Sequence, residues 1–298
     1  MMHVAIVSHD AGGAEILSSW LNRSHCLASV VVAGPAEAIF RRKCPQAEFL
    51  PLDETMAKSA WLLCGTGWQS SFERKAIARG RELGKKTVAF LDHWVNYRER
   101  FEESGSSVLP DEIWVGDPDA ERIARALFTE TPVLLQQNPY LQDLLVEIEQ
   151  LQVEKAISAS KKVLYVCENV VDHARLQYGD ERYWGYTDYD ALLFFLKHIY
   201  ALGEAIEAVT IRPHPSEQAE KYHWVTELNS LPIKIGGKQT LLKETLEADI
   251  VVGIQSMAMV VGLLARKRVI SSIPPGGHPC QLPQKNIEHM NNLVDNSG

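Results

Sequence analysis

The chain has 298 residues, 46% of them hydrophobic and 23% charged, a composition typical of a globular protein long enough for two domains. Its net charge of −8 argues against general binding to nucleic acid or to an anionic membrane surface. The five scattered cysteines indicate reduced thiols, and neither a signal peptide nor a transmembrane segment is predicted, so we expect a cytoplasmic protein.

Short apolar runs rich in β-branched residues alternate with amphipathic stretches through the first half of the chain. The runs predict strands at 3–8, 27–33, 60–65, 86–92, 112–116 and 132–136. The amphipathic stretches predict helices at 14–23, 36–43, 71–84 and 119–128. Continuous apolar strands that alternate with helices predict a parallel sheet covered on both faces.

The alternation restarts after "SASKK" (158–162), which has the composition of a short linker. The second half predicts strands at 162–167, 205–211, 232–236, 249–254 and 268–273. It predicts helices at 190–202, 216–225, 240–248 and from Ser256 onward. We therefore predict an α/β fold of two Rossmann-like domains facing a cleft, one over residues 1–157 and the other over residues 158–298.

The first candidate site is "SHDAGGAE" (8–15), directly after the first predicted strand. Its adjacent Gly12 and Gly13 lack the G-x-G-x-x-G spacing, and a P-loop Lys-Ser/Thr is absent, which argues against an NAD enzyme and an NTPase. The two glycines would still let a ligand approach the backbone at a helix N-terminus. Asp10 either points into the cleft or simply caps the helix, and we expect the helix start to lower its pKa.

Three other loops carry candidate residues after predicted strands. In "FLDHWVNYRERF" (90–101), Asp92 and His93 open a long loop whose aromatics and arginines suit a sugar and an anion, unless the loop only covers the sheet edge. Glu168 lies at the start of another long loop, 167–189, whose residues do not indicate one particular function. Ser256 starts a helix and is either a phosphate ligand or an ordinary N-cap.

"TIRPHPSE" (210–217) places two prolines around a histidine at the end of a predicted strand. Pro213 and Pro215 restrict the residues before them, Arg212 and His214, to extended geometry. The loop lies between a strand and a helix, where ligands bind in open α/β sheets. The alternative is a turn whose Arg and His are merely solvated.

Metal and hydrolase motifs have little support. Asp117-Pro-Asp119 and Asp188-Tyr-Asp190 each precede a predicted helix, where Asp is a normal capping residue, so we expect no metal site. H-E-x-x-H, C-x-x-C and G-x-S-x-G do not occur, which removes the usual support for zinc and serine hydrolases.

"RPHPSE", followed by "ADIVVGIQSMAMVVGLLARKRVI", resembles the donor half of GT-B glycosyltransferases with a His-Pro motif and a later Ser motif. These include bacterial sialyl- and polysialyltransferases, Kdo transferases and CDP-glycerol polymerases. The resemblance implies that His214 and Ser256 hold the donor's phosphate, with Arg212 beside them. It also implies that a carboxylate of the N-terminal half deprotonates the acceptor, but this residue has no unambiguous match here.

The sequence thus predicts a metal-independent, inverting glycosyltransferase without a cofactor. The expected substrates are a nucleotide-activated donor, with a CMP-linked acidic sugar favoured, and a glycan acceptor in surface polysaccharide synthesis. Asp10 is the predicted base, and Asp92 and His93 position substrate. The predicted donor-binding residues are Gly12, Gly13, Glu168, Arg212, His214 and Ser256. The alternatives are a nucleotide-sugar epimerase or hydrolase of the same fold and a non-catalytic nucleotide-sugar-binding protein.

Overall fold

The computed structural model describes residues 2–67, 70–103, 105–151, 159–227 and 231–295. The chain divides into two compact units, Met1–Asp143 and Leu144–Gly298, which we call the first and second units. The predicted domain boundary between residues 157 and 158 lies outside the described residues.

The first unit is built on a parallel sheet with the strand order β3-β2-β1-β4-β5-β8-β9, and β6 and β7 form a separate antiparallel hairpin. Its strands are β1 His3–Ser8, β2 Leu27–Val32, β3 Glu48–Phe49, β4 Trp61–Cys64, β5 Lys86–Leu91, β6 Glu102–Glu103, β7 Ser106–Ser107, β8 Glu112–Val115 and β9 Val133–Leu135. Its helices are α1 Ala11–Arg23, α2 Pro35–Lys43, α3 Leu52–Lys58, α4 Phe72–Glu82 and α5 Pro118–Leu127, while α6 Pro139–Leu151 crosses into the second unit.

The core of the first unit explains the unbroken apolar runs of the sequence. In the interior strand β1 both faces are buried, since Val4 through Val7 are at most 1% exposed. Three tryptophans, Trp20, Trp61 and Trp114, contact one another beside this core, with ring centroids 5.9 to 6.3 Å apart. Edge-to-face and tilted contacts of this kind are favourable packing arrangements for aromatic rings.

The second unit contains a second parallel sheet, with the strand order β12-β11-β10-β13-β14-β15. Its strands are β10 Lys161–Val166, β11 Ile206–Arg212, β12 Ile233–Ile235, β13 Ile250–Gly253, β14 Arg268–Ser271 and β15 Ile287–His289. Its helices are α7 Val170–Tyr178, α8 Asp188–Lys197, α9 Leu241–Glu247, α10 Met257–Leu264 and α11 Met290–Asp295, with 3₁₀ helices at Ile199–Leu202 and Ala219–Glu227. No helix in the described part of the chain has the length and apolar character needed to cross a membrane.

Each sheet has a point at which the strand order reverses. In the first unit the chain runs outward from β1 to β3 and then returns to the other side of β1 as β4. In the second unit it runs from β10 to β12 and returns beside β10 as β13. The loops at the carboxyl ends of β1 and β4, and of β10 and β13, therefore flank a crevice of the kind in which open α/β sheets bind ligands. We call these the first and second switch points.

The predicted strands are all present, but two loop predictions and one helix prediction are wrong. The region 167–189, expected to be a loop, contains α7 and the start of α8. The loop after β5 contains the β6–β7 hairpin. The helix expected at 216–225 is a 3₁₀ helix that starts at Ala219, because the Ser216 side chain contacts His214 instead of capping a helix.

Candidate functional site

Asp10 lies at the first switch point, as the N-cap of α1. Its Oδ1 accepts a hydrogen bond from the Gly13 N–H at 3.1 Å, and its side chain is only partly exposed. Burial, reinforced by the charges of Asp92 and Glu73, raises the pKa of Asp10 to about 7, against the opposing effects of Arg100 and the Gly13 N–H. The expected lowering of its pKa is therefore wrong, since loss of solvation outweighs the helix start.

Asp92 follows β5 and is engaged in an ion pair. Its Oδ1 accepts hydrogen bonds from Arg100 Nη1 and, at 3.2 Å, from Thr66 Oγ1. Arg100 is 4% exposed, and its guanidinium also donates to the Thr66 carbonyl at 2.6 Å and to the Val95 carbonyl at 3.2 Å. Because a buried guanidinium needs such partners, these bonds tie the loop after β5 to the sheet.

His93 is partly buried and is neutral at physiological pH. Burial, and then the charge of Arg100, lower its pKa to about 4 even though Asp92 acts in the opposite direction. Its Nδ1 is buried and has no hydrogen-bond partner among the described residues. A neutral imidazole at this position can orient a substrate but does not supply a positive charge.

Gly12 and Gly13 make room for the protein's own carboxylates. A Cβ on Gly12 would overlap Asp92 Oδ2. A Cβ on Gly13 would lie 2.9 Å from Asp10 Oδ1 and 3.3 Å from Ser8 Oγ. The first helical turn of α1 therefore needs glycine so that two carboxylates can approach its backbone.

Glu73, on the first turn of α4, is a member of the site that the sequence reasoning missed. It is 2% exposed, and its Oε1 accepts a hydrogen bond from the His9 N–H at 2.7 Å. Burial raises its pKa to about 6. The available signal was its position just after the loop that follows β4, at the switch point. We call Asp10, Glu73 and Asp92 the acidic cluster.

Glu168 lies at the second switch point and binds the backbone just before α10. Its Oε1 accepts hydrogen bonds from the N–H groups of Ile254, at 3.1 Å, and Gln255, at 2.7 Å. Burial raises the pKa of Glu168 to about 7, although these N–H groups favour the charged form. Ser256 is the N-cap of α10 by backbone geometry, without a side-chain cap bond. The bound amides belong to the two residues before the N-cap, so Glu168 holds the backbone that leads into α10.

His214, after β11, is oriented by Ser216 and Asn169. The Ser216 N–H donates to His214 Nδ1 at 3.3 Å, Ser216 Oγ lies 2.8 Å from the same atom, and Asn169 Nδ2 donates to Ser216 Oγ at 3.3 Å. Because Nδ1 accepts, the proton of the neutral ring is on Nε2. Burial lowers the pKa of His214, which favours this neutral form. His214 thus offers an Nε2–H donor.

Arg212, at the end of β11, is paired within the second unit. Its Nη1 donates to Glu244 Oε2 at 2.6 Å and to the Gln239 carbonyl at 3.0 Å. Glu244 is buried and also accepts from the Gly237 N–H at 2.7 Å. The guanidinium is therefore anchored toward α9.

The structure groups the predicted residues within each unit. Asp10, Gly12, Gly13 and Asp92 lie together at the first switch point. In the second unit, the loops after β11, β10 and β13 carry His214, Glu168 and Ser256, and these strands are neighbours.

The interpretation of the two acidic triplets as helix caps is confirmed. Asp117 accepts from the Ala120 N–H at 2.9 Å, and Asp190 forms a capping box with Thr187. Within the described ranges, no three His, Cys, Asp or Glu side chains are grouped so as to hold a metal ion.

No protein-family model matches this sequence, and no curated protein is significantly similar to it. Solved structures match its fold. The glycosyltransferase of kitacinnamycin matches with a TM-score of 0.53 and 14% identity, over 97% of this chain and 86% of its own. The E. coli heptosyltransferase WaaC with ADP-2-deoxy-2-fluoro heptose matches with a TM-score of 0.42 and 12% identity, over 97% and 92% of the two chains. A family 9 glycosyl transferase from Veillonella parvula matches with a TM-score of 0.39 and 10% identity, over 100% and 91%.

The first of these matches confirms the predicted fold class. The chain is an α/β protein with two Rossmann-like parallel sheets, the architecture of GT-B glycosyltransferase structures. Because fold alone does not determine activity, the chemistry must be inferred from the two switch points.

Proposed function

We propose that the protein is a glycosyltransferase that uses a nucleotide-activated sugar and Asp10 as its general base. The observation that carries this proposal is the carboxyl of Asp10 at a switch point, where burial and the acidic cluster raise its pKa to about 7. A general base works best when its pKa lies near the working pH, because it is then both ionised and basic. The GT-B fold supports the reaction class.

The proposed reaction is a single displacement at the anomeric carbon. Asp10 accepts the proton of an acceptor hydroxyl, and the hydroxyl oxygen bonds to the anomeric carbon. The bond from that carbon to the phosphate oxygen breaks, and the phosphate leaves with the electron pair. The new bond forms on the opposite face, so the configuration is inverted.

The donor side of the proposal rests on His214. Its Nε2–H, fixed by Ser216 at the other ring nitrogen, donates a hydrogen bond to the leaving phosphate and stabilises its charge without a metal ion. A CMP-linked acidic sugar is the proposed donor and a glycan is the proposed acceptor. Arg212 binds Glu244, and we propose that this ion pair fixes the end of β11 and so positions the loop that carries His214.

The base is tested by turnover with Asp10→Asn and Asp92→Asn. Thermal stabilisation by CMP, CDP, UDP, GDP, ADP and NAD first identifies the nucleotide, and transfer from the matching sugar nucleotide to a glycan is then measured. We expect Asp10→Asn to bind nucleotide normally and to lose about 10²–10⁴ in rate, the usual contribution of a general base. Near-normal turnover of Asp10→Asn with loss in Asp92→Asn would reverse the two roles.

The same assay separates the alternative activities. Release of free sugar or an epimer from the donor alone would identify a hydrolase or an epimerase. Nucleotide binding without turnover would identify a non-catalytic binding protein. Absence of stabilisation by every nucleotide would refute the proposed donor class.

The His214 contact is tested by calorimetry with the identified nucleotide. We expect His214→Ala to weaken binding by about 1.5–3 kcal/mol, as for a hydrogen bond to a charged group. The matched control is His223→Ala, whose exposed ring lies on the following 3₁₀ helix. Equal affinity of the two variants would remove His214 from the donor site.

A further inference from the structure

Glu73 is a buried carboxylic acid that takes no part in the bond changes of the proposed reaction. It is 2% exposed, and one of its oxygens, Oε1, is bound by the backbone N–H of His9, the residue before Asp10. Through this bond α4 holds the turn that carries Asp10. A carboxyl tied to the backbone by one oxygen has the other oxygen left for a second partner.

The second oxygen of Glu73 and one oxygen of Asp10 both lie beside the space that a side chain on Gly67 would fill. A Cβ on Gly67 would lie 3.3 Å from Glu73 Oε2 and 3.5 Å from Asp10 Oδ2. In the part of the chain that the structure describes, no donor reaches Oε2 with hydrogen-bond geometry, and the nearby Gly67 N–H only partly offsets the effect of burial on the pKa of Glu73. The other oxygen of Asp10, Oδ1, is occupied by the Gly13 N–H. Two oxygens thus face one glycine, and neither is paired with a cation in this part of the chain.

The charged and titratable neighbours of the pair come from the loop after β5 and from the end of β4. Asp92, after β5, adds a negative charge that acts on both Asp10 and Glu73. Arg100 is the positive group that acts on Asp10, and it is bonded to Asp92. The Cys64 thiol at the end of β4 is held neutral because burial and Glu73 raise its pKa. The negative charge of Asp92 acts on Asp10 more strongly than the positive charge of Arg100 does, so these neighbours together favour the protonated form of Asp10.

We propose that Asp10 and Glu73 form a carboxyl pair that shares one proton around Gly67. In this pair Glu73 is a positioning residue: it fixes the turn through His9 and makes a second negative charge beside Asp10 unfavourable. Two interacting carboxyls release their protons in two separate steps, which keeps Asp10 ready to accept a proton near neutral pH. The proposal rests on the proposed function in assigning Asp10 the role of base.

The pair is tested by nuclear magnetic resonance on the full chain without substrate, with the side-chain carboxyl carbons of Asp and Glu labelled with ¹³C. The signal of Asp10, assigned by its loss in Asp10→Asn, is followed from pH 4 to 9. In Glu73→Gln the amide oxygen still accepts from His9, and we expect the midpoint of Asp10 to fall by about one pH unit or more. Glu82→Gln, at the exposed end of α4, is the matched control and should leave the midpoint unchanged.

An unchanged Asp10 midpoint in Glu73→Gln would overturn the proposal, as would an ordinary Asp midpoint in the unmodified protein. If Glu73→Gln does not fold, the titration of Glu73 in the unmodified protein still tests the proposed pair. The Glu73 signal should titrate in two steps, one of which coincides with Asp10 and disappears in Asp10→Asn. A single step in Glu73 would refute the pair. The resonance experiment uses no substrate. If the unmodified protein shows coupled titration of Asp10 and Glu73 but transfers no sugar, that result counts against the proposed function alone.

Discussion

At the scale of single residues, the role of the adjacent glycines differs from the role that the sequence indicates. Gly12 and Gly13 were expected to make room for a ligand, whereas the structure places Asp92 Oδ2 and Asp10 Oδ1 against them. Sequence spacing shows that a backbone can be approached closely, but it does not identify the approaching group. Here that group comes from a residue 80 positions away from Gly12, Asp92, which follows β5, and one strand, β4, lies between β1 and β5 in the sheet.

Gly12→Ala tests this packing. Alanine is normally better than glycine in a helix, but its Cβ here would displace Asp92, which Arg100 and Thr66 hold in place. We expect a loss of about 1–3 kcal/mol in the free energy of unfolding, the usual cost of overpacking, measured by urea denaturation. In an Asp92→Ala background the same substitution should be neutral or should stabilise by about 0.5–1 kcal/mol. An equal loss of stability from Gly12→Ala in the unmodified protein and in Asp92→Ala would contradict the close contact between Gly12 and Asp92.

At the scale of secondary structure, the sequence predicted the strands well and the loops less well. Apolar β-branched runs such as β1 and β13 identify buried parallel strands directly. The helix α7 was missed because "VVDHARLQY" stands among aromatic and charged residues that favour a loop reading. In the site, Asp10 and His214 could be selected because each follows a strand. Glu73 offered only the weaker signal of its position after the loop that follows β4, because its burial depends on how α4 packs and not on its neighbours in the sequence.

Substitutions of Glu168 test whether its hydrogen bonds to the backbone before α10 stabilise the fold. Glu168→Ala would leave the N–H groups of Ile254 and Gln255 without their acceptor, which costs about 1–3 kcal/mol for a buried donor. Glu168→Gln keeps an acceptor oxygen and should cost less. The comparison is best made by urea denaturation at pH 5, where Glu168, with a pKa of about 7, is itself neutral. Equal stability of the Ala and Gln variants would show that these bonds contribute nothing.

At the scale of the whole molecule, the carboxyls of both switch points affect stability in the same direction. The folded-state pKa values of Asp10 and Glu168 are about 7 and that of Glu73 is about 6, all above their ordinary values. The folded chain therefore binds more protons than the unfolded chain between about pH 4.5 and 7, so these groups lower stability as pH rises. His93, whose pKa is lowered to about 4, acts in the opposite direction between about pH 4 and 6.5.

Differences between variants isolate the carboxyl effect, because the histidine contribution cancels. The free energy of unfolding of Asp10→Asn or Glu168→Gln, minus that of the unmodified protein, should rise from pH 5 to 7.5. The control is Glu181→Gln, which removes an exposed carboxyl outside both switch points. Urea denaturation at several pH values provides the measurement. A difference that falls with pH for Asp10→Asn would show that its carboxylate is stabilised by folding.

The tryptophan contacts give the first unit an optical signal of its own. Trp20, Trp61 and Trp114 lie with ring centroids 5.9 to 6.3 Å apart, close enough for their electronic transitions to couple. Near-ultraviolet circular dichroism from these rings therefore follows the packing of one core, whereas the far-ultraviolet signal sums the helices of both units. A chain of two compact units need not unfold in one step. The second unit has tryptophans of its own, Trp184 and Trp224, so the measurement uses a variant in which both are replaced by phenylalanine. In that variant, a tryptophan signal that disappears before the helical signal would reveal that the first unit opens first.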